Sequence, residues 1–468
     1  MKRLAGLAIL GSLLLCSCSH RVGEPSLGQA APPVAGLVSK SVDLPNGLKV
    51  VAVERHKLSL FHAELVIKTG AAYDSDDKAG LANITASLLD KGTQTRSASE
   101  IADQIDFTGG SMGVSCGYVT TSVSLHVLAE HDTFAMGLLS DMVMRPTFKS
   151  EELEKARSRI LSDIVRSKED PFSVTSDAFR EMVYKGNPLH RPVAGYPLTL
   201  PGITREDVAG FHKTHFVPNN SVLVIVADLS TEEIIGLAEK YLGSWQRGSS
   251  TFPPIPDPEP TMGKSVRLVR MDVSQSYIGL GQTGVRRSDP DYNAVRVMNY
   301  ILGGGGFVSR ITRSVRVKGG LAYSAYSYFT PGTTYKGYFR AGAQTKIAST
   351  SEALNLILAE IKRIREQGVE PKELEDAKSF YEGSLPSRQE SYDQIAGLFV
   401  DREIYGLRDN YWVEELKEIK VLTIEDIQKA AMSHLDPDNF VLAIATNPDS
   451  LNLSVDGISK DMVEVTNP

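Results

Sequence analysis

Two periodicities organise this chain. Residues 50–53 and 61–67 are apolar runs rich in β-branched side chains, separated by a polar turn. Residues 120–128 alternate apolar and polar positions, which predicts a half-buried strand. A charged helix is predicted from Ser150, as N-cap, to about Arg166. Thr204 caps a second helix over 205–212. A third amphipathic helix runs from Gly80 into the turn Lys91-Gly92-Thr93. Helices grouped between groups of strands predict an α+β fold rather than a wound parallel sheet.

The pattern occurs twice. Residues 152–157 match 373–378, and 203–208 match 422–427. Pro218-Asn219-Asn220 and the apolar run after it match Pro437-Asp438-Asn439 and its own apolar run, all at an offset of about 220 residues. Three matches in order imply one fold duplicated. Between the copies, alternating prolines at 253–260 favour polyproline geometry and a semi-rigid spacer. The expected domains are 39–247 and 264–468, joined by a linker over 248–263.

The 468 residues suffice for two such domains, and 42% hydrophobic and 23% charged residues are ordinary for a globular protein. A net charge of −7 without a Lys/Arg run argues against a nucleic-acid partner. The amino terminus differs. Lys2 and Arg3 precede an apolar stretch over 4–15, too short to span a bilayer and of signal-peptide length. It ends Leu15-Cys16-Ser17-Cys18, similar to a bacterial lipobox. The expectation is a signal peptide over 1–17, lipidation at Cys18 and a tether over 18–38, with Ser19 resembling the default signal for the outer membrane, facing the periplasm. Cys116 then remains alone in a strand-like stretch and reads as a buried small hydrophobe rather than a nucleophile.

The segment 80–93 resembles the zinc helix of the pitrilysin/insulinase metallopeptidase family, which includes the mitochondrial processing peptidases. That family carries His-x-x-Glu-His there, with Gly-Thr close behind. Counted back from Gly92-Thr93, the two His positions fall on Asn83 and Ser87, and the Glu position on Ala86. A zinc peptidase needs imidazole and carboxylate ligands and a proton-accepting carboxylate. An amide and a hydroxyl are weak zinc ligands, and Ala86 is no base. The family's third ligand maps onto Asp163, in Leu161-Ser162-Asp163-Ile164, shorter than Glu by a methylene. The resemblance implies two similar domains, each a mainly antiparallel sheet covered by helices on one face. It implies no metal in this chain, and zinc in a partner subunit.

The second copy keeps more. Gly303-Gly304-Gly305-Gly306, Ser309-Arg310 and Leu321-Ala322-Tyr323 resemble the family's second-domain signature. By that resemblance Arg316 and Tyr323 reach towards the zinc site of the facing half, where they hold the oxyanion or the substrate backbone. Val317 replaces the family's Glu. Read from the residues alone, Arg316 is a solvated helix charge and Tyr323 a strand aromatic. The tetraglycine is no phosphate loop, because no Gly-Lys-Ser/Thr follows. It resembles a shorter form of the Gly-rich loop in the non-catalytic mitochondrial processing subunit, as a substrate contact, or it is a helix cap and turn.

The expected function is a zinc-free partner subunit of a two-chain peptidase acting on unfolded peptide, giving Arg316 and Tyr323 in trans to a His-x-x-Glu-His subunit. The alternatives are a peptide-binding or scaffolding pseudoenzyme and, disfavoured by the missing ligands, an autonomous zinc peptidase.

Overall fold

The computed structural model describes residues 37–249 and 252–468. The expected signal peptide, Cys18 and nearly all of the tether lie outside them. No helix of the described residues is long and apolar enough to cross a membrane.

The first half holds strands β1 (Ser39–Asp43), β2 (Lys49–Glu54), β3 (Leu60–Ile67), β4 (Ser111–Cys116), β5 (Thr121–Leu128) and β6 (Ser221–Ala227). Its helices are α1 (Leu81–Ser87), α2 (Ala98–Phe107), α3 (Asp132–Met144), α4 (Ser150–Ser167), α5 (Pro171–Val183), α6 (Arg205–His215) and α7 (Thr231–Leu242). The second half holds β7 (Lys264–Arg270), β8 (Gln275–Thr283), β9 (Ala322–Thr330), β10 (Tyr338–Lys346), β11 (Phe440–Thr446) and β12 (Val463–Thr466). Its helices are α8 (Tyr292–Asn299), α9 (Thr350–Gln367), α10 (Pro371–Ser384), α11 (Tyr392–Tyr405), α12 (Tyr411–Val421) and α13 (Ile424–His434).

Each half builds a six-stranded sheet, with orders β1-β2-β6-β3-β5-β4 and β12-β7-β11-β8-β10-β9. Apart from the terminal strands β1 and β12, the two are one topology repeated. Most neighbours are antiparallel; β2/β6, β7/β11 and β7/β12 are parallel. The alternation read at 120–128 appears as β5, whose inward positions Val123, Leu125 and Val127 are buried.

Three boundaries differ from expectation. Lys149, not Ser150, is the N-cap residue of α4, and it supplies no side-chain cap. The helix capped by Thr204 runs on to His215, held by a capping box with Asp207. Helix α1 ends at Ser87, where the Ser87 hydroxyl donates back to the Ile84 carbonyl at 2.8 Å.

Each sheet packs its own half's helices on one face, as expected of this fold. Phe61, Ala63, Leu65 and Ile67 of β3 face a core that includes α1, α3, α4, α6 and α7. The second sheet faces α8, α9 and α13 in the same way. The opposite faces are covered by exchange. Helix α5 of the first half lays Val174, Ala178, Phe179 and Val183 against Val441, Ala443 and Ala445 of β11. Helix α11 of the second half lays Ile395, Ala396 and Phe399 against Val222, Val224 and Val226 of β6, with Trp412 of α12 beside them. The duplication thus gives each half one helix that completes the other. The Pro-rich linker is fastened near its centre: Ile255 is buried beside α5, and the Pro256 carbonyl accepts from Asn187 at 2.9 Å.

Candidate functional site

The degenerate metal helix begins at a buried carboxylate. Asp74 accepts the backbone N–H groups of Gly80 and Ala82, each at 2.9 Å, and so anchors the first turn of α1. Burial pushes the Asp74 carboxyl up to about 7, against the opposing pull of those N–H groups and of Arg191. Gly80 enters the helix with φ +100°, a conformation that favours glycine.

Asn83 and Ser87 are both partly exposed, on the same side of α1 at four-residue spacing. Ala86 between them is 2% exposed. The Ser87 hydroxyl is committed to the Ile84 carbonyl. Asp163 lies on α4, which packs against α1, but its carboxylate is exposed and paired with Arg166 one turn on. These residues do not fit zinc. One carboxylate is engaged elsewhere, one hydroxyl is internally bonded, and none of the four positions supplies an imidazole.

The second-half residues do come together. The segment Thr312–Lys318 is π-helical, with the Gly319 N–H bonded to the Ser314 carbonyl at 3.0 Å. This wide turn presents Arg316 towards β9, which carries Tyr323 at its start. The Arg316 guanidinium carbon lies 5.0 Å from the Tyr323 ring centroid and 4.5 Å from that of Phe307. Both rings stand in solvent, Tyr323 at 78% and Phe307 at 65% exposure, next to exposed Val308 and Val317. A planar cation between two aromatic faces is held in direction while its N–H edges stay free for a carbonyl or carboxylate. The sequence reading had not singled out Phe307; its place directly after the glycine run was the available signal.

Much of the glycine run is explained by packing. A Cβ on Gly303 would stand 2.4 Å from the Ser327 backbone nitrogen of β9, and one on Gly305 would stand 2.7 Å from the Tyr300 carbonyl oxygen. Gly306, at φ +60°, has open space around it. Beneath the run, Arg310 is 5% exposed and pairs bidentately with Glu373, which fixes the approach to the π-helical turn.

The half-sites belong to separate cores, α1 to the first and the Val315, Leu321 and Ala322 frame of the Arg/Tyr pair to the second. The remaining histidines of the helix end are packing groups. His212 stacks on Phe216 at 4.9 Å and His215 on Phe211 at 4.2 Å, and burial holds both imidazoles down at about 4. The Cys116 residue is partly exposed, but its thiol is desolvated and pushed up to about 12, so it is not a nucleophile near neutrality.

Comparison with known proteins identifies the family. Residues 49–196 match the family model for insulinase, peptidase family M16, and residues 202–381 match the model for the peptidase M16 inactive domain. The chain is 30% identical over 353 residues to an uncharacterized zinc protease of Rickettsia bellii, covering 74% of this chain and 83% of that one. It is 24% identical over 400 residues to a Helicobacter pylori protein named non-peptidase homolog YmxG, covering 85% and 91%. Among solved structures, a peptidase M16 inactive domain from Pseudomonas fluorescens superposes with TM-score 0.83 at 27% identity, over 89% of this chain and 100% of that one. The chain belongs to the insulinase-type peptidase family M16, and carries that family's inactive-type domain.

Proposed function

We propose that this chain is the half of a two-subunit M16 peptidase that lacks the catalytic metal. It leaves the ligand set to a partner of the same family and gives that partner's site an oriented cation and phenol. The observation that carries this reading is the contrast between the half-sites. At α1, Asn83, Ala86 and Ser87 replace every group that would bind metal or move a proton. Beside the start of β9, half-buried Arg316 and exposed Tyr323 remain paired. A half-buried cation held in direction by Phe307, with its phenol partner in solvent, suits a substrate backbone arriving from outside the chain.

In that role the guanidinium and the phenolic O–H of Tyr323 both donate to the scissile carbonyl oxygen as negative charge grows on it. Donors placed in advance stabilise that charge without reorganising. The exposed apolar residues Phe307, Val308 and Val317 would border the peptide or the partner. The scaffolding alternative draws on the name of the Helicobacter relative, a non-peptidase homolog. In the same proposal a lipid on Cys18 fastens the subunit to the outer membrane on its periplasmic side.

The test is purification of the tagged full chain from its own envelope, with mass spectrometry of what accompanies it. The reading expects a His-x-x-Glu-His protein of this family in stoichiometric amount, and no peptide cleavage by this chain alone. A chain that purifies alone and cleaves peptide with zinc that is lost on Asp163→Ala is an autonomous peptidase, and the proposal is then wrong.

A further inference from the structure

Away from both half-sites, the exchange of α11 creates a side-chain cluster with unmet bonding capacity. His62 of β3 and His126 of β5 are directly opposite each other across the antiparallel ladder. Their rings lie 5.7 Å apart, centroid to centroid, tilted by 55°. Asp393, in the first turn of α11, comes down on them from the other half. Its Oδ1 is 3.9 Å from His62 Nδ1 and 3.7 Å from His126 Nδ1. One ligand atom from each residue lies within 4.8 Å of the other two.

These separations are too long for hydrogen bonds. His62 is 5% exposed, yet both of its ring nitrogens lack a partner among the described residues, and so does Nδ1 of His126. Leaving a buried polar atom unsatisfied is destabilising, because it has lost water and gained no partner. The second sheet avoids that cost at the corresponding rung. There the opposed residues are Tyr277 and Gln344, and the Gln344 amide donates to the Tyr277 hydroxyl at 2.7 Å. The duplicated fold therefore accepts a self-satisfied pair at this position, and the first sheet has a histidine pair instead.

We propose that His62, His126 and Asp393 bind one divalent transition-metal ion of the zinc type, which clips α11 of the second half to the first sheet. Two imidazoles and a carboxylate suit Zn²⁺, Co²⁺, Ni²⁺ or Cu²⁺ over Mg²⁺ or Ca²⁺, which prefer oxygen ligands. Ligand bonds of about 2.0–2.1 Å in a tetrahedron set ligand atoms about 3.3 Å apart, so the exposed Asp393 carboxylate closes on each imidazole by about half an ångström and the two rings turn towards each other from within 4.8 Å. Glu64, two residues along the same face of β3, has Oε2 4.0 Å from His62 Nε2. It stands where a carboxylate would accept the Nε2–H and turn the Nδ1 lone pair inward. A solvent molecule completes the fourth position. The ion would be structural: it lies on the face opposite α1, and no catalytic step runs through it.

The experiment uses the full chain, stripped with chelator, given Co²⁺ or Zn²⁺, and desalted. Readouts are elemental analysis, the ligand-field spectrum of bound Co²⁺, and thermal melting with and without metal. The expected result is about one ion per chain with a tetrahedral Co²⁺ spectrum and a raised melting temperature. Asp393→Asn and His126→Gln should each abolish uptake while leaving the metal-free melt near that of the parent. Glu64→Gln should weaken binding about 10–100-fold. Asp163→Ala should change nothing. No uptake by the parent chain, or uptake that survives both Asp393→Asn and His126→Gln, overturns the inference and leaves the metal-free reading of α1 in place. Uptake lost on Asp163→Ala but kept in Asp393→Asn would overturn both.

Discussion

If each half is completed by a helix from the other, deleting one large side chain from either exchanged helix must damage the whole molecule. Phe399 on α11 is 1% exposed, packs in the cluster with Val224 and Ile395, and meets Trp412 edge-on at 5.4 Å. Phe179 on α5 is its counterpart, 1% exposed and edge-on to Tyr338 at 5.5 Å. Truncating a buried Phe to Ala costs about 3–5 kcal/mol through lost transfer energy and a residual cavity. The aromatic pair contributes about 0.5–1.5 kcal/mol of that total. Phe399→Ala and Phe179→Ala should therefore each lower stability by about 3–5 kcal/mol. Phe107→Ala, at a residue 89% exposed, should stay within about 0.5 kcal/mol of the parent. Urea unfolding followed by far-ultraviolet circular dichroism reads these differences. Hydrogen exchange should add a spatial signature, with Phe399→Ala loosening β3 and β6, and Phe179→Ala loosening β8 and β11. Losses no greater than the Phe107→Ala control, or loosening confined to the half that carries the mutation, would refute the exchange as a source of stability.

Two further predictions concern the anchor of α1 and the amino terminus. The Asp74 carboxyl titrates at about 7 in the folded state, against about 3.9 unfolded, so the native state holds the extra proton between these values. Stability from this group is thus greatest below about pH 4 and falls as pH rises towards 7; Asp74→Asn should flatten that part of the melting-temperature profile, and an unchanged slope would reject the assignment. Cys18→Ala should move the protein from the membrane fraction to the soluble one, since several acyl chains hold where one is marginal; unchanged fractionation would exclude lipidation at Cys18.

What could be read from the sequence follows from how local each signal is. The alternation in β5 and the cap at Thr204 are set by neighbours in the chain, and both were legible. Arg316 and Tyr323 were legible as a pair only through the family resemblance, because the residues by themselves read as a helix charge and a strand aromatic. The π-helical register was not, because its i to i+5 bonds depend on the packing of Val315 and Leu321 rather than on any residue preference. The exchange of α5 and α11 was also hidden: an apolar stripe requires that a helix be covered and does not name the sheet that covers it. The same holds for His62, His126 and Asp393. Cross-strand register and the arrival of α11 bring them together, and neither is written near any of the three. Asp163 matched by count to a ligand position, and the arginine three residues on already offered in the sequence the local partner that it takes.

The central claim is that Arg316 and Tyr323 serve a site on another chain. The direct measurement is steady-state kinetics on the reconstituted complex of this chain and its His-x-x-Glu-His partner, with sizing to establish assembly. Arg316→Ala and Tyr323→Phe should each lower kcat about 10²–10³-fold, the usual effect of removing one preorganised donor, while the complex still assembles. Arg316→Lys should not restore the rate, because an ammonium lacks the planar fork. Unaltered kcat in both Arg316→Ala and Tyr323→Phe, in a complex of unchanged size, would contradict the account and leave this chain a scaffold.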